Sequence, residues 1–201
     1  MSKPLQIGVT GGIGSGKSVV CQLFSCLNIP VYYADDRAKW LTNHDPEIRE
    51  KVVELLSAQA YNADGLYDTT FVASVVFKDE VLLKKLNAII HPVVMRDTEN
   101  WVRANHNAPY VAKEAAIMNR AGDGNSLDYV IVVEASVEVR IQRILQRDNR
   151  SEEEIKAIIQ RQVTDESRRK TGDFFINNNE SAALIPQVME LHHLFLGKAS
   201  H

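Results

Sequence analysis

Apolar positions along this chain come in two forms, short unbroken runs and longer stretches at helical spacing. LQIGVT (5–10) is a short run ending in glycines and reads as a buried strand. From Ser18 to Leu27, the residues Val19, Val20, Leu23, Phe24 and Leu27 recur on one helical stripe. PVYY (30–33) is a second short run, with Pro30 suited to a strand's first residue. It meets Asp35 and Asp36 and then the helix-compatible RAKWL. One of these aspartates either N-caps a helix beginning near Arg37 or is aimed at a ligand.

Asp45-Pro46 offers an N-cap followed by proline at the first helical position, with Ile48, Val52, Leu55 and Leu56 at helical spacing behind it. NADG (62–65) is a turn. Phe71 to Trp101 reads as helix again, interrupted at His91-Pro92. PYVAKEAAIM (109–118) and DYVIVVEA (128–135) have the composition of strands buried on both faces. RIQRILQRD (140–148) is helical, and Ser151-Glu152-Glu153-Glu154 is a capping box opening another helix. GDFFINN (172–178) is a last strand and IPQVMELHHLFL a closing helix. Strands alternating with helices predict a parallel α/β sheet. The helical stretch from about 37 to 106 is too long for an ordinary crossover and is expected to form a lobe of its own.

Composition adds limits. The 201 residues are 45% hydrophobic and 24% charged, enough for one full core with an appended subdomain. The opening MSKPLQIGVTGG has no long apolar segment and nowhere do eighteen apolar residues run together, so a cytoplasmic protein without a membrane span is expected. Cys21 and Cys26 have no metal-type spacing and no second pair, which predicts two reduced, buried thiols. The net charge of −3 argues against general nucleic-acid binding. Residues 140–170, however, hold nine Lys and Arg against six Asp and Glu, whereas the rest of the chain has 14 against 20. Such a basic island is either a site for a local anion or a solvated helical face.

The chemistry is densest in GGIGSGKS. Gly11, Gly16, Lys17 and Ser18 fit G-x-x-x-x-G-K-[ST], the phosphate-binding loop of P-loop NTPases. Its glycines let backbone N–H groups approach phosphate oxygens without a Cβ in the way. Lys17 reaches the β- and γ-phosphates, Ser18 supplies a hydroxyl to Mg²⁺, and the following helix turns its positive end toward the same anion. The pattern sits between an expected strand and an expected helix, the context that gives it meaning. The nucleotide-binding residues expected are therefore Gly11, Gly12, Ile13, Gly14, Ser15, Gly16, Lys17, Ser18 and Val19. No guanine-reading N-K-x-D occurs, and the apolar run YVIVVEA ends in Glu134 and leads straight to the basic helix. A small chain with a P-loop, a helical lobe and an Arg-rich hairpin has the outline of a small-molecule kinase.

In this combination the sequence resembles the dephospho-CoA kinase family over nearly its whole length. GVTGGIGSGKS, Ala34-Asp35, LNAIIHPVV (86–94) and YVIVVEASVEVRIQRILQRD, with Arg143, Arg147 and Asp148, carry the likeness, as do Gln162, Asp173 and Asn178. Tyr33, Thr69, Ala116-Ile117-Met118, Arg120 and Asn177 depart from the family's pattern and leave the acceptor contacts less defined.

The resemblance implies transfer of the ATP γ-phosphoryl group to the ribose 3′-hydroxyl of dephospho-CoA, with ATP and Mg²⁺ required, and no obligatory protein partner is evident. It implies a five-stranded parallel P-loop core formed by 1–36, 107–139 and 171–201, a helical acceptor lobe at 37–106 and an Arg-rich lid at 140–170. In this reading Asp35, Lys17 and Arg147 act in catalysis, Arg143 binds nucleotide, Ser18 holds the metal, and Asp35, His91 and Glu114 meet the acceptor. A kinase for another small molecule, such as a nucleotide, would share the P-loop and lid. A non-catalytic nucleotide sensor would share the P-loop alone.

Overall fold

The fold follows from where the chain places its apolar runs. A computed structural model describes residues 3–76 and 79–200. Its elements are β1 (Leu5–Thr10), α1 (Lys17–Cys26), β2 (Val31–Tyr33), α2 (Ala34–His44), α3 (Pro46–Leu56), α4 (Thr69–Val76) and α5 (Glu80–Ala104). Then follow β3 (Tyr110–Glu114), β4 (Tyr129–Glu134), α6 (Val137–Arg147), α7 (Glu152–Arg161), α8 (Asp165–Arg169), β5 (Phe174–Asn177) and α9 (Leu184–Ala199). The chain divides into two compact units, residues 1–33 with 102–201 and residues 34–101.

The first unit carries a five-stranded sheet in the order β2-β3-β1-β4-β5, every pairing parallel. β1 is central: Ile7 stands opposite Ala112 on one side and Tyr129 on the other. All five strands therefore end on one edge, at Thr10, Tyr33, Glu114, Glu134 and Asn177. Ligands of parallel α/β sheets bind beyond that edge. Ile7, Val9, Ile131, Val133 and Ile176 from the strands pack with Val20, Phe24, Val188 and Phe195 from α1 and α9. Each such side chain contributes about 1.5–3 kcal/mol on burial. A separate cluster of Ile141, Ile144 and Ile155 joins α6 to α7 and includes Ile13.

In the second unit, Leu41, Ile48, Val52, Tyr61, Val72, Leu86 and Val93 form the core. Asp45 caps α3 as its sequence indicates, accepting from the Ile48 N–H at 3.0 Å. The Ser151–Glu154 capping box of α7 is also present. NADG forms its turn, with the Asn62 side chain accepting from the N–H groups of Asp64 and Leu66.

Several expectations are corrected. α5 runs unbroken through His91-Pro92. Proline removes one helical hydrogen bond at a cost of about 3 kcal/mol, and Leu86, Ile89, Ile90, Val93 and Val94 hold the helix to the core on both sides of it. Phe77 and Lys78, within the helix expected from 71 to 101, lie outside the described residues. The buried stripe of α1 is Val20, Cys21 and Phe24, while Val19 is 48% exposed. Only Cys21 is a buried thiol; Cys26 is exposed, and both are free. The strand expected at 109–118 stops at Glu114. α2 begins at Ala34, so Asp35 and Asp36 lie inside its first turn and neither is an N-cap. Among the described residues no helix is long and apolar enough to cross a membrane.

Candidate active site

Residues Gly11 to Val19 turn the chain from the central strand β1 into α1. Gly14 and Gly16 adopt φ of +75° and +91°, the left-handed region that glycine enters without penalty. The Ser15 N–H closes the turn on the Gly12 carbonyl at 3.1 Å, and the Gly16 carbonyl accepts from the N–H groups of Val19 and Val20 to start the helix. Among the described residues, the N–H groups of Gly14, Gly16, Lys17 and Ser18 find no acceptor. Successive unpaired amides at a helix N-terminus make an anion cradle.

The outer surface of the loop is held by side chains from later in the chain. Gln162 Oε1 accepts from the Ile13 N–H at 3.0 Å, and Asn178 Nδ2 donates to the Ser15 carbonyl at 2.8 Å. A Cβ at Gly16 would fall 2.1 Å from that Asn178 nitrogen, so a larger residue there would displace the Asn178 side chain from the Ser15 carbonyl. Asp173 is further off: it accepts from the Val130 N–H at 2.8 Å and fixes the start of β5 against β4.

Two buried polar atoms beside the cradle, Ser15 Oγ and Arg143 Nη1, have no hydrogen-bond partner among the described residues. Leaving such groups unpaired costs about 1–3 kcal/mol each, and more for a charged one. A bound anion would repay that cost. Arg143 Nη2 donates to the Asn178 carbonyl at 2.9 Å, which places the guanidinium at the loop. Lys17 Nζ lies 3.3 Å from Glu114 Oε1. Beneath them burial, with Glu114 adding to it against an opposing Lys17, pushes the Cys21 thiol up to about 12.

The remaining expected residues are placed differently. Arg147 is exposed and paired with Asp148 at 2.8 Å, a hydrogen bond that holds the Asp148 carboxyl below its usual range. Arg150 reaches the same carboxylate at 2.5 Å. Ser18 presents an exposed hydroxyl in the first turn of α1. Val19 faces solvent rather than the core. Asp35 and His91 belong to the 34–101 unit, both exposed, on the first turn of α2 and the middle of α5.

Sequence reasoning overlooked Arg140, Asp165 and Arg168. Arg140 Nε donates to the Ile13 carbonyl at 2.8 Å, and Asp165 receives Arg140 at 3.0 Å and Arg168 at 2.6 Å. The available signal was positional. Arg140 stands on the same helical stripe as Ile141 and Ile144, where a solvated residue has no place.

A glycine-rich anion cradle between the central strand and first helix of this parallel sheet defines a P-loop nucleotide-binding protein of the small-molecule kinase type. The family model described as dephospho-CoA kinase (CoaE) matches residues 5–183. Dephospho-CoA kinases of Porphyromonas gingivalis and Bacteroides fragilis are 37% and 34% identical to it, over 93% of this chain and 92% and 91% of theirs. The crystal structure of TT1252 from Thermus thermophilus superposes with a TM-score of 0.82 at 28% identity, covering 98% of both chains. Dephospho-CoA kinase from Campylobacter jejuni shares the fold, with a TM-score of 0.62 at 21% identity over 96% of this chain and 98% of that one. The chain belongs to the dephospho-CoA kinase family.

Proposed function

We propose that this protein transfers the γ-phosphoryl group of ATP to the ribose 3′-hydroxyl of dephospho-CoA, giving CoA and ADP. The carrying observation is that the amides of Gly14, Gly16, Lys17 and Ser18 have no acceptor among the described residues, in a chain that matches the family over residues 5–183. Those amides hold the phosphates, with Gly11, Gly12, Ile13, Ser15 and Val19 shaping the loop around them. Arg143 adds its unpaired Nη1. Lys17 neutralises charge on the transferring group, and Glu114, its ion-pair partner, keeps it at the sheet edge.

In the reaction a bond forms between the 3′-oxygen and the γ-phosphorus, and the bond to the β,γ-bridging oxygen breaks. Asp35 takes the hydroxyl proton, the role of a general base. Its place in the chain, two residues after β2 ends, supports that assignment, because ligands of parallel sheets bind beyond the strand ends. Arg147 leaves Asp148 and stabilises charge as the lid, residues 140–170, closes. The 34–101 unit, which includes His91, is the acceptor lobe, and Glu114 at the end of β3 is assigned to the acceptor separately.

The donor set fits Mg²⁺. Among the described residues no three His, Cys, Asp or Glu cluster as a metal cage. Mg²⁺ in P-loop enzymes takes ligands from phosphate, water and the loop Ser/Thr hydroxyl, so Ser18 would be one of its protein ligands. When bound, the ion neutralises phosphate charge. The substrates are small and water-soluble, and the protein acts in the cytoplasm without nucleic acid or an obligatory protein partner.

The test is incubation of the purified protein with ATP, Mg²⁺ and either dephospho-CoA or a panel of nucleotides and other hydroxylated acceptors. Products are followed by mass and ³¹P NMR. The expected result is CoA and ADP in equal amounts, phosphorylated at the 3′ position. Phosphorylation of another acceptor with dephospho-CoA untouched, or ATP binding with no transfer at all, would overturn the reading.

A further inference from the structure

Arg140 has no assigned part in the reaction, yet it is the largest fully buried side chain among the described residues, 2% exposed. Its Nε donates to the Ile13 carbonyl at 2.8 Å, and its Nη1 donates to both oxygens of Asp165 at 3.0 and 3.1 Å. Asp165 also takes Arg168 Nη1 at 2.6 Å, and Arg168 Nη2 donates to the Val163 carbonyl. One carboxylate thus ties two buried guanidinium groups, one of which grips the phosphate loop.

The peptide between Ile13 and Gly14 is planar and trans, so its C=O and N–H point in opposite directions. Arg140 draws the Ile13 carbonyl toward α6. The Gly14 N–H, which has no acceptor among the described residues, is thereby turned away from α6 and into the cradle. A cationic donor on the carbonyl also polarises the peptide and makes its N–H a stronger donor. The contact is close: a Cβ at Gly12 would fall 2.4 Å from Arg140 Nη2, and one at Gly14 would fall 2.7 Å from the Arg140 carbonyl oxygen. A cavity of about 220 Å³ lined by Gly12, Ser15, Glu134, Asp165 and Arg168 adjoins the guanidinium. Without Asp165, Arg140 would have room to swing away from Ile13.

We propose that Arg140, held by Asp165, is a positioning residue that aims the Gly14 amide at the nucleotide phosphates. The proposal rests on the reading of the loop as the ATP site. Its test compares Arg140→Met, Arg140→Lys and Asp165→Asn with wild type by calorimetric binding of ADP and ATP, by steady-state kinetics and by the Gly14 amide resonance. Arg140→Met should weaken ADP and ATP binding by about 10-fold or more, the scale of a charge-assisted hydrogen bond. Arg140→Lys, with one ammonium for two partners, should fall between it and wild type. The KM for dephospho-CoA should stay within about 2-fold, a split that general loosening of the fold would not produce. The Gly14 amide resonance should shift upfield as its peptide loses polarisation. If Arg140→Met does not fold, Arg140→Lys and Asp165→Asn carry the test, with nucleotide affinity expected to drop about 3-fold or more. Unchanged nucleotide affinity in the folded variants overturns this inference alone. A wild-type protein that fails to bind ATP overturns the reading of the loop itself.

Discussion

Lys17 Nζ lies 3.3 Å from Glu114 Oε1, joining the first turn of α1 to the end of β3. The two strands behind them are in register, Val9 opposite Glu114, so the pair is set by sheet geometry and not by chance side-chain reach. The pair thus holds Lys17 at the edge where the strands end. Lys17→Ala should lower kcat/KM by about 10²-fold or more, the scale for a lost charge-stabilising donor. It should melt within about 4 °C of wild type, the shift that about 1 kcal/mol produces in a chain of this size. Activity near wild type in Lys17→Ala would show that the loop is not the phosphate site.

Asp35 and Asp36 are neighbours in the first turn of α2, both exposed, so they share the same small favourable interaction with the helix dipole, about 0.3–1 kcal/mol each. Asp36, whose exposed pair with Lys39 at 3.7 Å adds little, should tolerate Asn with little loss of stability. The chemistry of the two aspartates should differ. Loss of a general base lowers turnover by about 10²–10⁴-fold, and only Asp35→Asn should show it, with ATP binding retained. Equal turnover in the two variants would remove Asp35 from the mechanism.

Three arginines of the 140–170 segment make an internal comparison. Arg143 is fixed at the loop by Asn178 and has a buried, unpaired Nη1, so Arg143→Ala should chiefly raise the KM for ATP, by about 10-fold. Arg147 is exposed and paired with Asp148, so Arg147→Ala should chiefly lower kcat, by about 10²-fold. Arg150→Ala should leave both parameters nearly unchanged. A uniform small effect at all three positions would return the basic segment to a solvated helical face.

The cysteines separate by burial. Cys26 is exposed and Cys21 is fully buried, its thiol pushed up to about 12. A maleimide at neutral pH should label one thiol in the folded protein and two in denaturant. The buried thiol also makes stability depend on alkaline pH. Folding raises its pKa from 9.0 to about 12, so above pH 9 the unfolded chain releases a proton that the folded chain keeps. Stability should fall as pH rises from about 9 to about 12, and Cys21→Ala should lessen that slope. Two rapidly labelled thiols in the native protein would contradict the packing of α1.

The sheet was legible because its strands are unbroken apolar runs, and the loop was legible because its glycines have few other uses. The misses have a common cause. Hydrophobic periodicity assigns polar residues to solvent, so it passed over Arg140, which is polar and buried, and over α8, whose sequence DESRR has no apolar residue to mark it. It also put Val19 inside and left Cys21 out, because it ranks a valine above a thiol. At Pro92 the local signal was real and packing overrode it. Gln162 and Asn178 were visible only through the family resemblance. Hydrogen bonds from a side chain to a backbone 149 and 163 residues away leave no pattern in a single sequence.

Those long separations bear on how the protein is made. The ribosome delivers the phosphate loop within the first 20 residues, yet β1 pairs with β3 and β4, and Asn178 fastens the Ser15 carbonyl. At about 5–20 residues per second, the loop spends some 8 to 30 seconds in an emerging chain that lacks its lateral strands and its final clasp. A nascent polypeptide stalled after the 34–101 segment would thus carry the complete signature and no nucleotide affinity. ATP can act as a folding ligand only for chains whose synthesis has passed β5.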